Sequence, residues 1–349
     1  MPSNEPIRVK PLRSATSIVA IGIAGSVIAG ILAGCGPVTG RAKPVVAIDT
    51  GPAQRLASLT ALDQRVAGVA QRLSEANSDL CPAVRQSAGW ALHAASQYSL
   101  QLRPHAQARF GLEGDLPGVL AVPSSSAAAA AGLREGDLIL MVNGETLDRG
   151  PERRNPAFEG LEANIARLDR ALGQGPTVVT VRRGRGALDL TIQPRRACGY
   201  EVQLNPSDEL NARADGRRLF ISTALASFAR NDDELAVILG HELAHHVLRH
   251  RHWSDTGGAA RQVNEAAWAA DGGEGNAEQQ ADRVGLYLLA RAGFDPAVAA
   301  PFWRRFGESN WRVRFPQIGH ASAGSRALAL EQVQREIEAK RRAGGELLP

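Results

Sequence analysis

The chain has 349 residues, 44% of them hydrophobic and 22% charged, a balance that suits a folded protein of one or two domains and argues against dominant disorder. Its formal net charge is +4; Arg8, Lys10 and Arg13 against Glu5 put +2 in the leader and leave +2 for the body, too little to argue for a nucleic-acid partner. The pairs Arg182-Arg183, Arg195-Arg196 and Arg217-Arg218 are scattered rather than gathered in one stripe, and read as solvated surface charge.

Residues 1–34 read as an address. The three cations are followed by an apolar run from Ser17 to Leu32 and then by Leu32-Ala33-Gly34-Cys35. That tetrad resembles the lipobox of bacterial lipoprotein precursors, which implies a signal peptide cleaved before Cys35, lipidation of its thiol, and a body facing the periplasm. An uncleaved span is the alternative, since the run approaches the length of a bilayer crossing. Gly36 is not the aspartate associated with inner-membrane retention, so the resemblance favours the outer membrane. In that compartment Cys81 and Cys198, the two remaining cysteines, have one possible pairing; two buried free thiols are the alternative.

Residues 35–52 carry Pro and Gly with little periodicity and suit a tether. From Ala53 the spacing of Leu56, Leu59, Leu62, Val66, Val69 and Leu73 predicts a helix ending near Asp79, the first part of a segment 53–105 assigned to the main domain. Residues 83–104 read as strand or short helix, and the pattern does not separate the two. His93 and His105 have no partner at metal spacing and are expected to be structural.

Residues 106–196 read as a separate, β-rich module. Ala131 to Gly144 gives turn, strand and an Asn143-Gly144 turn; Leu161, Ile165, Leu168 and Leu172 give a helix; Val178 to Arg183 with Leu188 to Ile192 gives a closing hairpin. The Ala131–Gly144 run resembles PDZ domains, particularly those of bacterial envelope proteases, and Phe110, Gly111 and Leu112 resemble the loop whose backbone amides hold a peptide's terminal carboxylate. The resemblance implies binding of peptide termini at a sheet edge; a purely structural insert is the alternative. Cys81 and Cys198 flank this module, so their pairing would make it an insertion rather than a bead on a string.

Residues 197–349 contain the stretch with chemistry. Arg217 to Thr223 reads as a strand, and Asn231 to Arg251 as a helix with Asn231 or Asp232 as cap and Glu234 able to reach back. Leu235, Ala236, Val237, Leu239, Leu243, Ala244, Val247 and Leu248 make that helix apolar nearly all round, which places it in a core. It nevertheless carries His241, Glu242 and His245 as H-E-x-x-H. One helical turn separates the imidazoles, so both can reach one ion, and Glu242 stands beside them to take a proton from a metal-bound water. His246 and His250 point elsewhere and are expected to pack or face solvent; His252 lies roughly 16 Å along the axis from His241, too far for the same ion.

With His-Glu-Leu-Ala-His-His, Glu278-Gln279-Gln280-Ala281-Asp282 and Ala292-Gly293-Phe294-Asp295-Pro296, residues 200–330 resemble metallopeptidase family forty-eight, which includes HtpX and the CAAX prenyl proteases. The resemblance implies Zn2+ with Glu278 as third ligand. Among the acids after the helix, Glu265, Glu274 and Glu278, only the last opens an amphipathic helix and has an acid, Asp282, at i+4 to orient a ligating histidine. A surface charge is the alternative for Asp282. His320 and Arg326 are spaced like the family's His-Pro…Arg, with Ala321 in place of the proline; either is expected to stabilise the oxyanion, or else to form interdomain salt bridges. Gly257 to Gly275 reads as a flap or a spacer, and Ser325 to Arg342 as an amphipathic helix.

The expectation is therefore an α+β protein: a mainly helical zincin-type core with a small sheet, plus the inserted PDZ-like module. Its expected function is that of a zinc endopeptidase of the cell envelope, acting on unfolded or misfolded envelope proteins laid against the Arg217–Thr223 strand. A chaperone or peptide-binding protein with an idle metal site is the rival.

Overall fold

The computed structural model describes residues 51–214, 218–248, 277–309 and 322–349; Cys35, His250, His252, Gly257 to Gly275 and His320 lie outside these. Helix α1 (Pro52–Ala76) follows from the leucine spacing, with proline in its first turn where a missing N–H costs nothing. It belongs to two hydrophobic cores. Leu56 packs into one, while Val66, Val69 and Leu73 pack into the other.

The first core lies beneath a six-stranded sheet. Its strands are β2 (Ala91–His93), β3 (Gly118–Ala121), β4 (Leu138–Val142), β5 (Glu145–Thr146), β6 (Thr177–Arg183) and β7 (Gly186–Ile192). The order is β2-β3-β4-β6-β7, with β5 paired to β4 and every pairing antiparallel. Asn143 and Gly144, with φ of 47° and 82°, make the tight turn that the Asn-Gly pair predicts. Helices α2 (Arg103–Phe110), α3 (Ala127–Ala130) and α4 (Glu159–Gly173) accompany the sheet. The sheet takes in β2, which precedes position 106, and residues 83–104 turn out to hold strand, 3-10 turn and the start of α2.

β1 (Val84–Ser87) leads into this sheet and β8 (Arg195–Cys198) leads out, and the two pair antiparallel with Val84 opposite Cys198. Beside that pair Cys81 and Cys198 form a disulfide across 117 residues, with Cα atoms 5.5 Å apart. The chain's entry and exit are thus pinched together, and the six-stranded sheet is inserted between α1 and the elements after β8.

The second core is helical. A three-stranded sheet of order β10-β11-β9, with β9 (Glu201–Asn205), β10 (Ala212–Ala214) and β11 (Arg218–Ser222), borders it. The expected substrate strand is β11, but β10 and β9 occupy both its sides, so its backbone groups are taken by the sheet. β10 is the outer strand that packs against the metal helix. Helices α5 (Thr223–Phe228), α6 (Asp232–Val247), α7 (Ala277–Arg291), α8 (Ala299–Ser309) and α9 (Ala323–Arg342) complete this part.

α1 braces two of these helices at one end. Arg65 donates to Asp232 at the start of α6 and to the carbonyls of Ala226 and Ala229. Asn77 donates to the Leu288 carbonyl near the end of α7, and Arg291 of α7 returns bonds to Asn77 and Asp79. Among the described residues no helix is long and apolar enough to cross a membrane.

Closing a loop of this size by a disulfide is worth about 4–5 kcal/mol in the chain-entropy model. Replacing both Cys81 and Cys198 by serine should lower the unfolding free energy by about 2–5 kcal/mol, read from denaturant titration, and dithiothreitol should reproduce the loss in the parent protein but not in the variant.

Candidate metal centre

Helix α6 starts where its sequence allows. Asn231 Oδ1 accepts the Glu234 N–H at 2.9 Å, and Glu234 reaches back to accept the Arg230 N–H at 2.7 Å, which closes the turn. Arg305 donates to both oxygens of Glu234 at 2.7 and 2.6 Å, tying α8 to this cap. The aliphatic side chains of α6 are then buried as expected, and His241 is carried down with them.

The depth of the second ligand-bearing helix is set by two glycines. A Cβ on Gly285 of α7 would lie 2.8 Å from the His241 backbone nitrogen and 2.9 Å from the Gly240 carbonyl carbon; one on Gly240 would lie 3.0 Å from the Gly285 oxygen. Only hydrogens fit at this crossing. Glu278, Asp282 and Gly285 stand at i, i+4 and i+7, so the face of α7 that touches α6 is also the face that carries the carboxylates.

His241, His245 and Glu278 converge there. His241 Nε2 is 3.2 Å from His245 Nε2 and 3.4 Å from Glu278 Oε2, while His245 Nε2 is 3.6 Å from Glu278 Oε1. A tetrahedral zinc ion with bonds of about 2.1 Å holds its ligand atoms about 3.4 Å apart; each pair of these side chains brings donor atoms near that spacing, with Glu278 turning a different oxygen to each histidine, and one donor atom from each of the three residues lies within 4.8 Å of the others. A metal ion held by two imidazoles and one carboxylate would keep a fourth position for water, as catalytic sites do.

Behind the ligands, His241 Nδ1 lies 3.0 Å from Asp282 Oδ1. Donation along this contact fixes the tautomer that leaves Nε2 free for a metal. Burial pulls the His241 pKa down, but hydrogen bonds to Asp282 and Glu278 outweigh it and lift the group to about 9. The bond to His241 holds Glu278 down at about 2 against its own burial. Burial would raise Asp282, yet the Arg326 guanidinium beside it keeps that carboxyl below the usual range. The electrostatics therefore favour positive charge at the convergence point. Glu242, on the turn between the two histidines, is half-buried.

Arg326 lies beside the ligand cluster. It is 8% exposed and donates from Nε and Nη2 to the two oxygens of Asp282 at 2.6 and 2.5 Å, with Nη1 3.8 Å from Glu278. Nε and Nη2 are thus engaged behind the ligands, in an ion pair between two helices of the second core rather than between domains. Phe110, Gly111 and Leu112 stand at the end of α2. Phe110 and Leu112 are buried, and Gly111, with φ of 64°, donates its N–H to the Gln107 carbonyl as the left-handed cap of α2. That amide is not available to a peptide carboxylate. His93 is buried and bonded to Tyr98 Oη at 2.7 Å, and His246 stacks on Tyr200, so both pack as expected. Sequence reasoning missed Gly240, Gly285 and Trp303; the i+7 spacing from Glu278 was the available signal for Gly285.

Gly285→Ala should force backbone apart rather than a side chain aside. It is expected to cost about 1–3 kcal/mol in denaturant unfolding and to weaken zinc binding at least about tenfold in chelator competition; an alanine variant that binds zinc as tightly as the parent would break the link between the crossing and the ligand geometry.

Residues 187–271 match the family model described as Peptidase family M48. A Beta-barrel assembly-enhancing protease from Yersinia pestis is 29% identical over 147 residues, which span 34% of this chain and 30% of that protein. The Mitochondrial metalloendopeptidase OMA1 of Schizosaccharomyces pombe is 28% identical over 148 residues, 36% of this chain and 44% of the relative. The chain thus spans less than half the length of these two curated relatives. A crystal structure of the HtrA3 PDZ domain bound to a phage-derived ligand aligns with 32% of this chain and 88% of its own, at 23% identity and a TM-score of 0.23. The HExxH helix falls inside the stretch that matches this family model.

Proposed function

We propose that this protein is a zinc-dependent endopeptidase of the bacterial cell envelope that cleaves misfolded or damaged envelope proteins. The observation that carries the proposal is the convergence of His241 and His245 of the buried HExxH helix with Glu278 of α7, one donor atom from each lying within 4.8 Å of the others. Zinc bound by these three residues supplies a Lewis acid for the scissile carbonyl and lowers the pKa of its water. Glu242 accepts the proton of the attacking water and delivers it to the leaving amine. Asp282 holds His241 in the ligating tautomer, and Arg326 holds Asp282. The substrate lies extended along the outer side of β10, the strand nearest α6, in place of the expected β11.

In the same proposal residues 1–34 are a signal peptide, residues 35–52 a tether from lipidated Cys35, and residues 197–349 the catalytic part. The PDZ-like module, widened to begin at β2, receives chain termini at an outer strand of its sheet. The Yersinia relative is named a beta-barrel assembly-enhancing protease, and in this proposal the place of action is the cell envelope.

Glu242→Gln preserves the ligands while removing the base. The variant should bind one equivalent of zinc yet lose casein cleavage by at least about 10²-fold, the lower range for a lost general base. Undiminished turnover in pure variant would overturn the assignment, and a parent protein that takes up no zinc would overturn the metal centre itself.

A further inference from the structure

We propose that Trp303 is a positioning residue of the metal centre: its indole face clamps the Arg326 guanidinium so that this cation neutralises Asp282 and is kept off Glu278. The inference rests on the proposed zinc site and extends it to a residue that touches neither ligand set nor substrate by hydrogen bonding.

Arg326 is a buried cation with two carboxylates in reach. It bonds Asp282 through two nitrogens, and Glu278 Oε2 is only 3.8 Å from Nη1. A modest rotation of the guanidinium would exchange one partner for the other. The exchange would matter, because an arginine bonded to Glu278 competes with a metal ion for that carboxylate, whereas an arginine on Asp282 anchors the residue that orients His241. Coulomb attraction alone does not choose, since both acids are near neighbours of one cation.

The indole supplies the choice. The guanidinium carbon of Arg326 stands 3.5 Å from the Trp303 ring centroid, a face-on contact within the range of a strong cation–π interaction. Contact with the ring limits how far the guanidinium can tip or shift away from Asp282, the partner that its Nε and Nη2 already hold. The same indole meets the His241 ring edge-on at 6.2 Å between centroids, so it borders the ligand as well as the arginine.

A second observation separates this role from plain packing. Trp303 is 7% exposed, and its buried indole N–H has no hydrogen-bond partner among the described residues. A buried unsatisfied donor is unfavourable. Phenylalanine or leucine would fill an apolar space between α8 and α9 without it. Tryptophan is the side chain whose face binds a cation best, which accounts for its presence despite the stranded donor.

The test uses the full-length protein, with zinc alone as the probe in chelator competition, and records thermal midpoints beside it. Trp303→Leu is expected to weaken zinc binding about tenfold or more, the loss usual for partners behind a metal ligand, while Trp303→Phe, which retains an aromatic face, stays within about threefold of the parent. In casein cleavage kcat should fall with KM held, since β10 is untouched. If the leucine variant does not fold, the cycle of Trp303→Met with Arg326→Lys decides: methionine fills the space without an aromatic face, and the losses in zinc affinity should be less than additive, because both changes disrupt one contact. A folded leucine variant with a lower midpoint but parental zinc affinity, or strictly additive losses in the cycle, would overturn the proposal and leave the three-ligand site standing. A parent that binds no zinc would instead sink that site.

Discussion

The close passage of Gly240 past Gly285 is the constraint on which the metal centre depends. Packed helices ordinarily keep axes about 8–10 Å apart because side chains fill the space between them. Here backbone meets backbone, and the gain in approach is transferred along α7 to Glu278 and Asp282, seven and three residues before the crossing. The two helices run in opposite directions, since His245, later in α6, faces Glu278, earlier in α7. Metal–ligand bonds tolerate deviations of only about 0.2 Å, so a site assembled from two helices needs their separation fixed by something harder than a flexible side chain. Main chain in contact with main chain provides that hardness.

Charge balance explains why the polar cluster can sit so deep. Asp282 is nearly inaccessible and would be prohibitive alone; two bonds from Arg326 make it half of a paired unit. Glu278 is then the carboxylate whose charge a metal ion would balance. The upward shift of His241 and the downward shift of Glu278 express the same local pull for positive charge. Three ligand atoms held within 4.8 Å of one another, with that pull at their centre, make a cluster built for a cation.

What the sequence made readable was local. The metal helix announced itself by apolar residues all round and a cap at Asn231; the Asn143-Gly144 hairpin and the acid pair Glu278/Asp282 needed only short spacings. Interactions fixed by distant partners were hidden. Arg326 finds Asp282 across 44 positions because α9 packs on α7, and nothing in its own neighbourhood says which carboxylate it will meet. The β11 strand was visible, but its central place in the sheet depends on β9 and β10, whose pairing is not written in either segment. The end of α2 was legible too. Pro104 in the first turn and a glycine directly after Phe110 bracket a short helix by local signals alone.

The inserted sheet is also not free to swing. Consecutive residues of α1 face the two cores: Gln64 donates to the Leu120 carbonyl of β3, and Arg65 to Asp232 at the head of α6. Further along, Asn77 and Asp79 hold the end of α7, and two residues beyond Asp79 the disulfide ties the chain to the exit strand β8. A helix of 25 residues fastened in the middle and near its end transmits position rather than absorbing it. The orientation of the six-stranded sheet relative to the metal helices is therefore set by the same α1 that braces their far ends. An insertion fastened in this way is a fixed attachment, which distinguishes it from a module on a flexible linker, whose contribution would be confined to local concentration.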